Sequence, residues 1–481
     1  VNEIVLSEAQ HSVVEAVRKL APGNVLIVRG YAGTGKSTVL ARVVAEGGVL
    51  AVLTPTGKAA ARLGELGAAA MTIHQLLYVT SEEIPYYCAC DYLFYVRRKQ
   101  SRPTMPCPSC GEAAPREKEV DFNLRDVGDL WTRLEPGALL VVDEASMIGP
   151  QIARDLWGLV QQFELRLVLV GDNYQLPPVL SASDQAAYPK GFNVMDGDGF
   201  PGAAKVTLTE VFRQALDSPI LAAATALRSD QPFAPSEKPE YLATSGNTRN
   251  VILALTEALG AGESAIALTL RNQDRHVINR GVRACLGHTA ALPRPGEPLM
   301  VLVNNHVLGL MNGETVTLVD YPDGEDVALF FQEGKFSPSA IRARVQVSDG
   351  VREVFLLFDF LGGAPSGLPL YAVYSQDYCF HFAGAVRRRI LGLALDGSED
   401  GIWDHKRAVE VMQASVLVVD WGYCSTVHKA QGSEWQVVIV HVVGWLEKLD
   451  TWRRWLYTAF TRSSGRLLVI YEPGPIWRRL R

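Results

Sequence analysis

Along the chain, short unbroken apolar runs alternate with stretches whose apolar residues recur at helical spacing. The runs "VLIVR" at 25–29, "ALLVV" at 138–142 and "LRLVLV" at 165–170 carry no polar alternation, so they predict strands buried on both faces of a parallel sheet. "TVLARVVAE", directly after the loop that follows the first run, has the spacing of an amphipathic helix. Residues 1–75 and 120–215 therefore read as one α/β unit. A second, residues 216–300 and 416–481, is marked by "SAIALTL", "VVIVHVV" and "RLLVIY". Two stretches interrupt the alternation. Residues 301–415 read mainly as short strands and turns, as in "NGETVTLVDYPDG" and "ARVQVSDGVREVFLLF", the pattern of a small β-rich insert whose part beyond about 376 is helical or irregular. Residues 76–119 form the other insert.

Composition adds limits. A chain of 481 residues exceeds what one core usually serves, so two to four domains are expected. With 48% hydrophobic and 20% charged residues it reads as an ordered globular protein. A net charge of -6 does not advertise polyanion binding, so any nucleic-acid site has to be a local groove. The opening "VNEIVLSEAQ" has no basic segment followed by an apolar one, and no apolar stretch approaches about eighteen residues. The expectation is a cytoplasmic protein with no membrane partner.

Chemistry enters at the ends of the apolar runs. "GYAGTGKST" fits a phosphate-binding loop through Gly30, Gly35, Lys36 and Ser37, with Gly33, Thr34 and Thr38 inside it, and it sits where such a loop must, between a strand and a helix. Glycines let backbone N–H groups wrap phosphates, Lys36 reaches the outer phosphates and the Ser37 hydroxyl suits magnesium. "GALLVVDEASMIG" ends a strand in Asp143, suited to the same ion, and Glu144, suited to activating water. The strand ending at Asp172 is followed by "NYQLPPV", which puts Gln175 at the crevice beyond the strand ends, where its amide could sense a terminal phosphate.

Taken together, "GYAGTGKST", "LTPTGKAAARL", "TIHQLL", "VVDEASMI", "LVGDNYQLPPV", "LTEVFRQ", "STVHKAQGSEW" and "LYTAFTRSSGRLLV" occur in the order found in superfamily 1 helicases, and the chain most resembles the RecD-like and phage Dda-like branch. The resemblance implies two RecA-like lobes with ATP and magnesium between them, single-stranded DNA across their top, and movement 5′ to 3′ by a monomer. It implies an SH3-like barrel at 301–415, a forked duplex as substrate, and roles in replication, repair or recombination beside single-strand-binding proteins. It also assigns Gln10 to the adenine, Glu434 to the ribose, and Arg213 and Arg462 to the phosphoryl transition state as arginine fingers. The DNA track would run over Thr54, Thr56, Lys58, Thr72 and His74 on one lobe and Ser425, Thr426, His428 and Lys429 on the other, short polar groups that reach a backbone without reading sequence. Taken singly, each arginine reads equally as surface charge and each histidine as a satisfied structural residue. A translocase that does not unwind, and a clamp or loader that uses ATP as a switch, both stay open.

The first insert is the most individual segment. Cys88 and Cys90 are followed by sixteen residues and then Cys107 and Cys110, four thiolates that suit tetrahedral zinc, although C-x-C is the less usual pair. Between them "DYLFYVRRKQSR" sets Tyr92 and Phe94 beside four basic residues, a composition that could stack bases and attract phosphate at a fork. Rings packing a small core is the plainer alternative.

Overall fold

The computed structural model describes residues 6–55, 70–79, 83–87, 93–97, 104–106, 113–115, 123–124, 135–210, 218–229, 231, 239–303, 305, 308, 310, 312–324, 328–329, 339–347, 350–357, 416–444 and 446–472. Lobe 1 is built on six parallel strands, β1 (Val25–Gly30), β2 (Val49–Thr54), β3 (Ala70–Thr72), β4 (Leu139–Val142), β5 (Arg166–Gly171) and β6 (Ala204–Leu208), in the order β6-β1-β5-β4-β2-β3. Its apolar runs fill both faces. Val25 and Ile27 of β1 join Leu53, Leu140, Val142 and Leu169 in one core, with α3 (Ile73–Leu77) and α4 (Pro150–Gln162) packed on it. Leu26 and Val28 join Val52, Val141, Val168 and Val170 in the other, under α1 (Glu8–Arg18) and α2 (Lys36–Ala45). A fully buried aliphatic side chain is worth about 1.5–3 kcal/mol. Unbroken Val/Leu runs therefore fix the sheet with little help from local propensity.

The second half threads two sheets. β7 (Tyr241–Ser245) and β8 (Ala265–Thr269) open lobe 2; then come β9 (Pro298–Val301), β10 (Thr315–Asp320), β11 (Ser339–Val347), β12 (Gly350–Leu357) and β13 (Val416–Trp421); β14 (Cys424–Thr426), β15 (Trp435–Val442) and β16 (Ser463–Tyr471) return to lobe 2. The lobe 2 sheet is parallel, ordered β7-β16-β15-β8-β14. On one face lie α5 (Pro219–Arg228) and α8 (Trp452–Phe460), on the other α6 (Thr248–Gly260) and α7 (Asn272–Cys285).

In the remaining six-stranded sheet, five strands close on themselves in the order β10-β9-β13-β12-β11, with β11 pairing back to β10, and the two-residue strand Ala328–Leu329 pairs with the start of β11. All pairs are antiparallel except β12 with β13. The ring's inward residues Leu299, Val316, Ile341 and Leu417 belong to the same core as Val251, Leu255 and Ile278 of α6 and α7, so ring and lobe 2 share one interior.

The segment between β3 and β4 contains paired strands Glu83–Tyr87 with Leu93–Arg97 and Thr104–Pro106 with Ala113–Pro115. Phe94 is opposite Tyr86 in the first pair. Cys88, Cys90 and Tyr92 fall between the two strands of the first pair in sequence, Cys107 and Cys110 between those of the second. All five lie outside the described residues, as do Thr56, Lys58 and Arg213.

Candidate functional site

Three adjacent parallel strands, β1, β5 and β4, end at the chemistry the sequence singles out, in the crevice beyond their carboxyl ends. After β1 the chain turns through Gly33 and Gly35 at positive φ (81° and 74°) and enters α2 at Lys36. Gly35 caps that helix in the left-handed region, which glycine adopts without penalty. Gly30 is required for a different reason: a Cβ there would stand 2.6 Å from Thr34 Oγ1 and 2.8 Å from Lys36 Cγ. Lys36 Nζ donates to the carbonyls of Gly30 (2.8 Å) and Tyr31 (3.1 Å), folded over the loop it serves. Ser37 is exposed at the helix start and Thr38 half-buried.

Past β4, Asp143 N donates to Leu53 O and Asp143 Oδ1 accepts from Glu144 N (both 2.9 Å). Glu144 occupies the left-handed region at φ 51° and its buried Oε2 has no hydrogen-bond partner. A β-carbon-bearing residue held there costs energy that packing has to offset, a signature of functional positions. Gln175, 4% exposed, likewise keeps a buried Oε1 without a partner. Two orphan acceptor oxygens at neighbouring strand ends fit a site that receives donors from outside the chain, such as water or a hydrated cation. Asp172 lies beside them. Burial holds its carboxyl above the usual carboxylate range, opposed by the Lys36 charge and the Tyr457 hydroxyl.

Lobe 2 reaches into this crevice. Leu176 packs in the lobe 2 core, its N–H donates to Thr458 Oγ1 (3.0 Å) and its carbonyl accepts from Gln431 Nε2 (3.0 Å). The Arg228 guanidinium lies 3.5 Å from the centre of the Tyr31 ring. Tyr457 Oη accepts from Ala32 N and donates to Asp172 Oδ2. Arg462 is 6% exposed and bonds within lobe 2, to Thr458 O, Ser433 O and Thr461 Oγ1. Glu434 follows the buried Ser433 and is itself exposed. Gln10 is 2% exposed: its Oε1 accepts from Ser7 N in the capping box of α1 and its Nε2 donates to Thr34 O, which ties it to the phosphate loop.

The described residues marked for a nucleic-acid track sit on or beside the outermost strands of the two parallel sheets, β3 and β14. Thr54 and Thr72 end β2 and β3 and face each other in register. His74 follows in α3. In lobe 2, Thr426 ends β14 opposite Thr269 of β8, and Ser425 Oγ donates to Thr426 O. Burial pushes the His428 imidazole below its usual range, so near neutrality it is an uncharged donor. Burial, with a smaller push from Arg275, lowers the Lys429 ammonium to about 8. Thr269, Asp172, Tyr457 and Arg228 were not singled out by the sequence. The signal that could have found Tyr457 is its place in "LYTAFTR", on the helix that leads to Arg462.

A family model described as an AAA domain matches residues 5–250, and one described as a UvrD-like helicase C-terminal domain matches residues 422–470. The chain is 27% identical over 473 residues to the ATP-dependent RecD2 DNA helicase of Deinococcus radiodurans, across 96% of this chain and 48% of that protein. It is 28% identical over 342 residues to the RecBCD enzyme subunit RecD of Mycolicibacterium smegmatis, across 62% of this chain and 55% of that one. The chain thus spans about half the length of these curated relatives. Among solved structures, a Pif1 helicase from Bacteroides in complex with ADP-AlF3 and single-stranded DNA superposes with a TM-score of 0.50 at 17% identity, over 98% of this chain and 93% of that one. A structure of two Pif1 helicases at forked double-stranded DNA gives the same score and identity over 98% and 92%. Both likenesses concern the fold.

Proposed function

The chain belongs to the AAA domain family, as a RecD-like member of helicase superfamily 1, and from that premise we propose that it is an ATP-dependent DNA helicase that moves 5′ to 3′ on single-stranded DNA and separates duplex. The observation that carries the reading is the junction of two parallel-sheet lobes over one phosphate loop, with Glu144 and Gln175 offering unpartnered buried acceptors at neighbouring strand ends. Lys36 and the loop amides hold the phosphates of ATP; Ser37 and Asp143 would hold magnesium, which supplies charge neutralisation at the transferred phosphoryl group. Glu144 accepts the proton of the attacking water and Gln175 orients that water. Arg462, from lobe 2, and Arg213 stabilise the transition state when the lobes close; closure requires Arg462 to exchange its bonds within lobe 2 for the phosphate. Gln10 contacts the adenine and Glu434 the ribose.

DNA then crosses the sheet edges at Thr54, Thr56, Lys58, Thr72 and His74, and at Ser425, Thr426, His428 and Lys429. The closed five-strand ring serves as the SH3-like insert beside the emerging strand. In the segment 76–119, Cys88, Cys90, Cys107 and Cys110 bind zinc, and Tyr92 and Phe94 work at the fork. This is supported by two paired-strand hairpins, in contact through Glu83–Tyr87 and Ala113–Pro115, each bracketing two cysteines in sequence. Metal analysis of a Cys88→Ser plus Cys107→Ser variant tests it: zinc retained refutes the ligand set.

The test of the motor is ATP hydrolysis with and without single-stranded DNA. A rate that rises with DNA and vanishes in Lys36→Ala supports the proposal. Hydrolysis indifferent to DNA refutes it.

A further inference from the structure

One amide of the phosphate loop is held by a side chain from the other lobe. Ala32 N–H donates to Tyr457 Oη at 3.0 Å across 425 residues of chain, and the same hydroxyl donates to Asp172 Oδ2 at 2.5 Å. Asp172 Oδ1 accepts from Tyr174 N at 2.9 Å, so both carboxylate oxygens are engaged. Tyr457 is 1% and Asp172 0% exposed, which leaves solvent no access to replace either bond. The Tyr457 ring stands edge-on to Tyr174 at 5.2 Å, and Tyr174 Oη donates to Leu227 O of α5. The next residue on α8, Thr458, accepts Leu176 N through its hydroxyl and Arg462 Nε through its carbonyl. A continuous run of bonds therefore links loop, strand-end carboxylate and the helix that leads to Arg462.

We propose that Tyr457 is a positioning residue whose hydroxyl ties the conformation of the phosphate loop and Asp172 to closure of the two lobes. Separation of the lobes removes its two bonds at once: it frees an amide of the phosphate loop and strips a buried carboxylate of its hydroxyl donor. Loop geometry and lobe closure become one equilibrium. The idea rests on the reading of the cleft as an ATP site, but its first test does not.

Tyr457→Phe keeps the ring and its packing and removes the hydroxyl. In the free 481-residue chain, hydrogen exchange of amides in residues 30–36 should rise about tenfold or more, while that of residues 25–29 stays unchanged. In hydrolysis, kcat should fall about tenfold with KM for ATP within about twofold, since the hydroxyl acts on the closed state. Asp172→Asn should act in the same direction, and the double variant should be no slower than the slower single one. Unchanged loop exchange, an unchanged kcat, or effects that multiply would each overturn the proposal. If wild-type hydrolysis ignores DNA, the helicase reading fails while these comparisons stand. If wild type does not hydrolyse ATP, the ATP-site reading fails and the exchange result alone decides.

Discussion

Replacing Glu144 by glutamine should make the protein more stable and nearly inactive. The Glu144 Oε2 atom is buried without a partner, on a backbone held at φ 51°. An unsatisfied buried charged acceptor costs about 1–3 kcal/mol or more, and a neutral amide of the same shape costs less. Glu144→Gln therefore recovers about 1 kcal/mol, which for a unit of roughly 150–250 residues raises Tm by about 2–4 °C. The same change removes the proton acceptor for water, and general-base catalysis is worth about 10^2–10^4 in rate. The assay pairs a thermal melt with steady-state hydrolysis, and nucleotide binding is followed separately to show that the site still loads. A variant that hydrolyses ATP within tenfold of wild type would refute the role of Glu144. One that melts lower would refute the account of its orphan oxygen.

Three further outcomes are expected. Gly30→Ala forces its new carbon against Thr34 and Lys36, so ATP affinity should fall at least about tenfold in equilibrium binding while the fold, followed by circular dichroism, survives. Lys429 loses its charge as pH rises through about 8, so single-stranded DNA affinity should drop between about pH 7 and pH 9 in fluorescence anisotropy, and Lys429→Arg should flatten the profile. The sign for stability is opposite: with the folded pKa below the unfolded value of 10.5, the destabilising contribution is full below about pH 8 and is relieved as pH climbs toward 10.5. Glu297→Ala removes the carboxylate to which the buried Arg283 donates Nε and a terminal nitrogen at 2.8 and 3.2 Å, leaving its charge to the carbonyls of Ala290 and Leu292, and should cost about 3 kcal/mol in a denaturant melt.

Much of lobe 1 was legible because its signals are local. Unbroken runs such as "VLIVR" can only be strands buried on both sides, and glycine spacing at Gly30 and Gly35 reports a backbone that must turn tightly around phosphate. What stayed hidden depends on partners far along the chain. Periodicity in "REVFLL" shows a strand but not that its neighbour, β13, begins at residue 416 and runs parallel to it. Nor does it show that the ring shares a core with α6 and α7. The contact of Tyr457 with Ala32 and Asp172 spans two lobes, and neither a tyrosine nor an alanine in those positions announces it. The Arg462 side chain was legible as a cation near the cleft, but its bonds to Thr458 and Ser433 come from the local fold of α8 and its neighbour loop.

Strand separation tests the central claim most directly. Two duplexes, one with a 5′ and one with a 3′ single-stranded tail, are mixed with ATP, magnesium and the wild-type chain, with Lys36→Ala as the control for contaminating activity. The account expects the 5′-tailed duplex alone to open, and only with Lys36 intact. Opening of the 3′-tailed duplex, or of neither while DNA still stimulates hydrolysis, would contradict it.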